Sequence, residues 1–280
     1  GEMRELIYKP TNTGDGVIVQ YTDSFKGDWN PNPIIHSICA FANDIDNVGG
    51  GYLVIGIEEE NGRFLLKKAV DPTKDQSYVL YSMTQDELRH TLFPLGGMTK
   101  MHTRELARKL GFYNADKPDS QDICFVPNGD YASFIRSFTG RDYPRGEFVD
   151  KSGNVLGEHR GLIGYTVGQR KGLGIALGEP KYVTALLPKE NRVVLGSNED
   201  LMSRELDAKN FNFIAFDTPP AEFRASARVR YRQAEQPATV RVTGENTVHI
   251  TFDEPQRAIT KGQAVVVYDG DVVIGGGEIC

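Results

Sequence analysis

The chain has 280 residues, a quarter of them charged, and a formal net charge of −6. That length supports two or three domains with a real apolar core, and the negative balance excludes whole-surface attraction to nucleic acid, so RNA binding would have to use local basic patches. No apolar run approaches the roughly 18 residues of a membrane span and no leader is visible. Cys39, Cys124 and Cys280 are too scattered for a disulfide framework or a metal-ligand set, which points to a reducing cytoplasm.

Residues 1–33 are polar and rich in Gly, Asn, Asp and Thr. Ile34 to Asn43 predicts an apolar helix, and Gly49-Gly50-Gly51 turns the chain into a strand, Tyr52-Leu53-Val54-Ile55-Gly56-Ile57. Glu58-Glu59-Glu60-Asn61-Gly62 reads as a charged turn and a boundary, which divides the chain into 1–62, 63–126, 127–205 and 206–280. Tyr78 to His90 predicts a helix, and Thr99 is a candidate N-cap for a second helix ending before Gly111. In that second helix Lys100, Arg104 and Arg108 recur every four residues and form one basic stripe, either a solvated face or a contact for RNA.

From Gly146 onward, short alternating runs punctuated by Gly, Asn and Asp predict strands at Phe148-Val149, Val193-Val194-Leu195, Ala225 to Tyr231, Thr247 to Phe252 and Ala264 to Tyr268. Residues 206–280 read as a small antiparallel barrel, so the fold class is α+β. On the strand expected at Ala225 to Tyr231, period two puts Arg224, Arg228, Arg230 and Arg232 on one face. Such residues recur at about 6–7 Å, close to the phosphate spacing of an RNA strand. The same face could instead be salt-bridged to acids such as Glu235 or Asp253. Gln169-Arg170-Lys171-Gly172 is a basic glycine turn able to hold a phosphate, or an ordinary turn.

Four segments, in order, carry a family resemblance: Lys74-Asp75-Gln76-Ser77-Tyr78, Asp119-Ser120-Gln121-Asp122-Ile123-Cys124-Phe125, Gly168-Gln169-Arg170-Lys171-Gly172-Leu173-Gly174, and Phe252-Asp253-Glu254-Pro255-Gln256-Arg257-Ala258. From about Gly62 to Ile279 the sequence resembles the tRNA-specific 2-thiouridylase family, also called MnmA. The resemblance implies an α/β remnant of a nucleotide-binding domain, a small central domain and a C-terminal tRNA-binding β-barrel. It implies sulfur transfer to the wobble uridine of tRNA through a persulfide on Cys124, with tRNA contacts at Lys74, Asp75, Gln76, Arg230, Tyr231 and Gln263. Arg228, Arg232, Arg170 and Lys171 are further candidate phosphate contacts. ATP and magnesium are the implied cofactors; tRNA and a sulfur donor, a cysteine desulfurase or a sulfur-relay protein, are the implied partners.

A sulfur-carrying cysteine must be reachable and have a stabilised thiolate. Cys124 follows the polar run Lys117-Pro118-Asp119-Ser120-Gln121, which suits a mobile element, although a cysteine before Phe and Val also reads as a small buried hydrophobe. Cys39 shares its helical face with Ile35 and reads as core, and Cys280 as an exposed bystander.

Phe25-Lys26, Ile38-Cys39-Ala40-Phe41-Ala42-Asn43 and Gly50-Gly51-Tyr52-Leu53-Val54-Ile55-Gly56-Ile57 are similar to part of a Schlafen/AlbA-type putative DNA-binding domain. The Ser-Gly-Gly-x-Asp-Ser loop with which thiouridylases bind ATP does not occur in the 280 residues; Gly49-Gly50-Gly51 and Gly275-Gly276-Gly277 lack its serines and aspartate. Two functional classes follow: a thiouridylase homologue without its ATP-binding loop, or a non-catalytic nucleic-acid-binding protein.

Overall fold

The computed structural model describes residues 62–116 and 130–280, together with the backbone of three short strands ahead of them. Cys39, Cys124 and the helix expected at Ile34 to Asn43 lie outside the described residues.

β1 (Ile18–Val19) pairs in parallel with β2 (Tyr52–Leu53). β3 (Ile57–Glu60) and β4 (Arg63–Leu66) form an antiparallel hairpin with Glu60 opposite Arg63. Only Asn61 and Gly62 connect them, and Gly62 has φ +79°, which a residue without Cβ adopts at little cost. The acidic run is therefore a strand, not a turn, and the hairpin bridges the boundary expected after residue 62.

The helix expected over Tyr78 to His90 is broken. Leu80–Ser82 makes one 3-10 turn, Met83 is extended, and Thr84 starts α1 (Gln85–Arg89). A reciprocal cap explains the restart: Glu87 N–H donates to Thr84 Oγ1 at 3.2 Å, and Thr84 N–H donates to the Glu87 carboxylate at 2.8 Å. α2 (Lys100–Lys109) forms as expected, with His102 N–H donating to Thr99 Oγ1 at 3.3 Å and Gly111 just beyond its end. Its basic stripe is partly neutralised, because Arg108 pairs with Asp116 at 2.6 Å. α3 (Tyr131–Thr139) lies in a stretch that carries no expectation from sequence; Asp130 caps its start and Gly140, φ +62°, ends it.

The central domain is a four-stranded sheet of β5 (Gly146–Val149), β6 (Val155–His159), β7 (Tyr182–Leu187) and β8 (Arg192–Gly196), ordered β6-β5-β8-β7 with β5 parallel to β8. Phe148, Tyr165, Leu173, Val183, Val193 and Leu195 form its core.

The C-terminal part closes into an antiparallel barrel of β9 (Met202–Phe213), β10 (Glu222–Arg228), β11 (Gln236–Gly244), β12 (Thr247–Arg257), β13 (Ala264–Asp269) and β14 (Val272–Ile279), in the order β10-β11-β12-β9-β14-β13. Alternate residues such as Ala238 and Val240, Val248, Ile250 and Phe252, and Val265 and Val267 fill the interior. At the closure, Gly275-Gly276-Gly277 permits close approach. A Cβ on Gly275 would strike the Asn212 carbonyl, and one on Gly276 would lie 2.7 Å from the Tyr81 ring and 2.8 Å from the Val265 carbonyl. This triplet is a packing device of the last strand.

A second core lies outside the barrel. Leu66, Tyr78 and Leu88 pack with Ile214, Val266, Tyr268 and Val273, so β13 is buried on both faces. Lys68 N–H donates to Asp271 O at 2.8 Å, and Arg63 Nε and Nη2 donate to the Ile214 and Phe213 carbonyls at 2.6 and 3.0 Å. The stretch from Arg63 to His90 is thus fastened along the barrel wall.

Candidate nucleic-acid interface

The seam between that stretch and the barrel gathers most of the residues singled out from sequence. β10 stops at Arg228, earlier than expected, so only Arg224 and Arg228 of the four arginines lie on its outward face. Both are paired. Arg224 makes a two-point bond with Asp253 at 2.7 and 2.8 Å. Arg228 Nη2 meets Asp75 Oδ2 at 3.1 Å, with side-chain exposures of only 12% and 9%. Between these pairs Ser226 donates to Glu235 at 2.8 Å, and Lys68 binds the same carboxylate.

Arg228 is therefore not an open phosphate contact, and the Asp75 carboxylate is not an open RNA contact. Asp75 accepts from Ala69 N–H and Ser77 N–H at 3.1 Å each and from Ser77 Oγ at 2.7 Å. Arg228 also donates through Nε and Nη2 to the Tyr268 hydroxyl at 3.0 and 2.7 Å, and its guanidinium carbon lies 5.0 and 5.3 Å from the Tyr268 and Tyr78 ring centres. Burial alone would push the Asp75 carboxyl up, but hydrogen bonds from Ser77, Ala69 and Arg228 overcome it and hold the group below the usual carboxylate range. Burial pushes the Tyr78 phenol up to about 12, so it remains a donor, to Ala264 O at 2.7 Å.

Beside this buried network lies an exposed edge. Gln76 Nε2 donates to the Tyr231 hydroxyl at 2.7 Å, and Tyr231, 39% exposed, donates to Asp75 O at 3.3 Å. Its ring meets that of Tyr78 edge-on at 6.1 Å. Lys74 is exposed on the same loop, and Gln263 precedes Ala264, whose carbonyl Tyr78 holds. Residues 155 apart in sequence thus form one surface.

Arg230 faces the central domain. Its Nη2 donates to Val167 O, Ala258 O and Thr260 Oγ1 at 3.2, 3.0 and 3.1 Å. Arg257 donates to Gly168 O at 3.2 Å, and a Cβ on Gly168 would lie 3.2 Å from Ala258 Cβ. These contacts dock the Gly168–Gly174 turn on the barrel and leave Arg170 and Lys171 exposed; Arg232 is exposed as well. Arg170 also lines a groove of about 440 Å³ with Leu173, Ile175, Pro180 and Lys181.

The described glycine-rich segments do not fit a triphosphate. Gly168 N–H and Gln169 N–H already donate to Val183 O and Thr166 O, and Gly275, Gly276 and Gly277 are paired within the barrel sheet. Among the described residues no cluster of His, Cys, Asp or Glu could hold a metal ion, and no helix is long and apolar enough to cross a membrane. Cys280 is exposed, as expected.

Sequence reasoning missed Ser77, Tyr78, Tyr268 and Arg257. The uninterrupted apolar run Ala264 to Tyr268 was the available signal, because a barrel strand apolar on both faces must be covered outside.

Three family models match the chain: the tRNA methyl transferase HUP domain over residues 30–128, the tRNA methyl transferase PRC-barrel domain over 132–197 and the Aminomethyltransferase beta-barrel domain over 203–279. The first begins inside the segment that resembles a Schlafen/AlbA-type domain, and none of the three models is of that type. The tRNA-specific 2-thiouridylase MnmA of Clostridioides difficile is 50% identical over 230 residues, 82% of this chain and 64% of that protein. Those of Acetivibrio thermocellus and Carboxydothermus hydrogenoformans are each 45% identical over 274 residues, 94% of this chain and 76% and 75% of theirs. The chain thus spans just under two thirds of the Clostridioides difficile relative's length.

Proposed function

The chain belongs to the tRNA-specific 2-thiouridylase family, and from that premise we propose that its barrel edge holds tRNA while Cys124 carries the sulfur destined for the wobble uridine. The observation that supports the RNA half is the Gln76–Tyr231 hydrogen bond, which joins two segments with family-type tRNA contacts into one exposed edge. Tyr231 offers a ring on which an unpaired base can stack, and Lys74, Arg170, Lys171 and Arg232 offer charge to the backbone. Gln263, half-buried and next to Ala264, is a further candidate contact by family resemblance.

In the sulfur half, the Cys124 thiolate attacks the terminal sulfur of a donor persulfide, from a cysteine desulfurase or a sulfur-relay protein. The donor's S–S bond breaks as a new one forms on Cys124, and the donor leaves as a thiolate, so no outside oxidant is required. A reducing compartment keeps the accepting thiol free of disulfides, in keeping with a cytoplasmic site of action.

ATP and magnesium serve the family reading by making the uridine oxygen a leaving group. The described glycine-rich segments do not fit a triphosphate and the 280 residues lack the Ser-Gly-Gly-x-Asp-Ser loop, so the role proposed for them is sulfur carriage and tRNA holding, without formation of 2-thiouridine by this chain alone. Intact-mass measurement after incubation with a persulfide donor tests the sulfur half. A sulfur-sized increment is expected on the wild type and on Cys39→Ser but not on Cys124→Ser. Equal labelling of the two variants would overturn the assignment of Cys124. Retardation of digested tRNA on a mercury-containing gel reads the product directly, and robust 2-thiouridine from the isolated chain would overturn the limit set here.

A further inference from the structure

We infer that Arg228 is a positioning residue, an internal clamp that presses Lys74, Asp75 and Gln76 against the barrel beside Tyr231 and itself touches no phosphate. The inference rests on the tRNA-holding role proposed for this edge and identifies what builds it.

The clamp is a closed set of bonds. Arg228 Nη2 donates to Asp75 Oδ2, Ser77 Oγ and the Tyr268 hydroxyl at 3.1, 3.3 and 2.7 Å. With two Arg228 donors on its oxygen, Tyr268 directs its proton to Ser77 Oγ, 3.3 Å away, and Ser77 donates onward to Asp75. The guanidinium lies between two tyrosine rings, a place that suits its flat, weakly hydrated group better than an ammonium. To reach a phosphate, Arg228 would have to abandon a buried carboxylate, leaving that charge unpaired.

The bonds act on the loop. One Asp75 oxygen holds the amides of Ala69 and Ser77, drawing the turn closed around residues 70–76. The loop's other anchor is Asp71, which accepts from Thr73 N–H at 2.9 Å and from Lys100 N–H, at the start of α2, at 2.9 Å. With both anchors set, Lys74 stands exposed and Gln76 reaches Tyr231. The charge on β10 thus serves the RNA edge through the loop it fixes.

Two measurements on the full chain test this. In the RNA-free chain, hydrogen exchange at the Ala69 and Ser77 amides is expected to accelerate about tenfold or more in Arg228→Gln and Asp75→Asn, and less in Arg228→Lys, which keeps the charge but loses the fork. For tRNA binding, Arg228→Gln is expected to lower affinity about tenfold while the slope of log affinity against log salt stays at the wild-type value. Arg170→Ala with Lys171→Ala is expected to reduce that slope by about one to two.

A slope reduced by about one in Arg228→Gln, with both amides still protected, would make Arg228 a phosphate contact and overturn the clamp. Lost protection with unchanged tRNA affinity would overturn its positioning role. If Arg228→Gln does not fold, Asp75→Asn carries the same expectations and the same refutations. If the wild type binds no tRNA, the proposed function fails at that point, while the exchange measurement still decides whether the clamp exists.

Discussion

The barrel interior and the seam on its outer wall are both buried, yet they are held by different physics. Inside, Leu206, Val240, Ile250, Phe252 and Val267 interdigitate with no charge among them, and removal of apolar surface from water suffices. Outside, apolar contacts of Leu66, Leu88 and Tyr268 are interleaved with Arg228, Asp75 and Ser77, where direction matters as much as area. The interior gives a rigid frame. The seam decides where a loop from early in the chain stands relative to Tyr231. If Arg228 positions the loop as inferred, stability and placement are separable by substitution.

That contrast can be broken or sharpened by substitution. The largest effect is expected from Ile250→Ala, which empties a fully buried interior site and should cost about 2–5 kcal/mol, with melting temperature and tRNA binding falling together in parallel thermal and binding assays. Tyr268→Phe acts on the seam. It removes the oxygen that accepts twice from Arg228, leaves Nε without its acceptor while Nη2 keeps Asp75 and Ser77, and should cost about 1–3 kcal/mol. Here tRNA affinity should fall more than melting temperature, and an equal fall in both would erase the distinction between frame and seam.

A pH series adds a smaller effect. The Asp75 carboxyl lies below its ordinary value when folded, so its contribution is complete above the unfolded value of about 3.9 and is lost as pH falls through the lower folded one. The seam should therefore be indifferent to pH from about 8 to 5 and loosen only under strong acid. An NMR titration of the Asp75 carboxyl carbon should show a midpoint under 3.9, about the free value; a midpoint above it would mean that burial dominates the hydrogen bonds. The smallest effect is expected for Arg224→Ala, since its pair with Asp253 is exposed: calorimetry should show no shift in melting beyond scatter.

What was legible in the sequence follows the same division. The period-two run Thr247 to Phe252 and the short apolar run Ala264 to Tyr268 identified barrel strands, and Thr99 with Gly111 marked a helix's two ends, because these signals are local. The pairing of Arg228 was invisible, since Asp75 lies 153 residues away and nothing local distinguishes a clamped arginine from an open one. Period two was also carried too far along β10: the chain leaves the sheet after Arg228, and Arg230 turns to the carbonyls of Val167 and Ala258. The helix expected over Tyr78 to His90 failed because Thr84 and Glu87 cap each other mid-run, a signature written in the residues themselves. The Lys74-Asp75-Gln76 and Arg230-Tyr231 segments were found by resemblance, and their meeting came from the fold.

Gln76 and Tyr231 are proposed to act as one tRNA-binding edge. The most direct test of that role is the tRNA affinity of Gln76→Ala, Tyr231→Ala and the double variant at one fixed salt concentration. Loss of a stacking ring should cost about 1–3 kcal/mol in Tyr231→Ala. Because the two side chains share a hydrogen bond, the double variant should lose clearly less than the sum of the single losses. Wild-type affinity in all three, or losses that simply add, would contradict it.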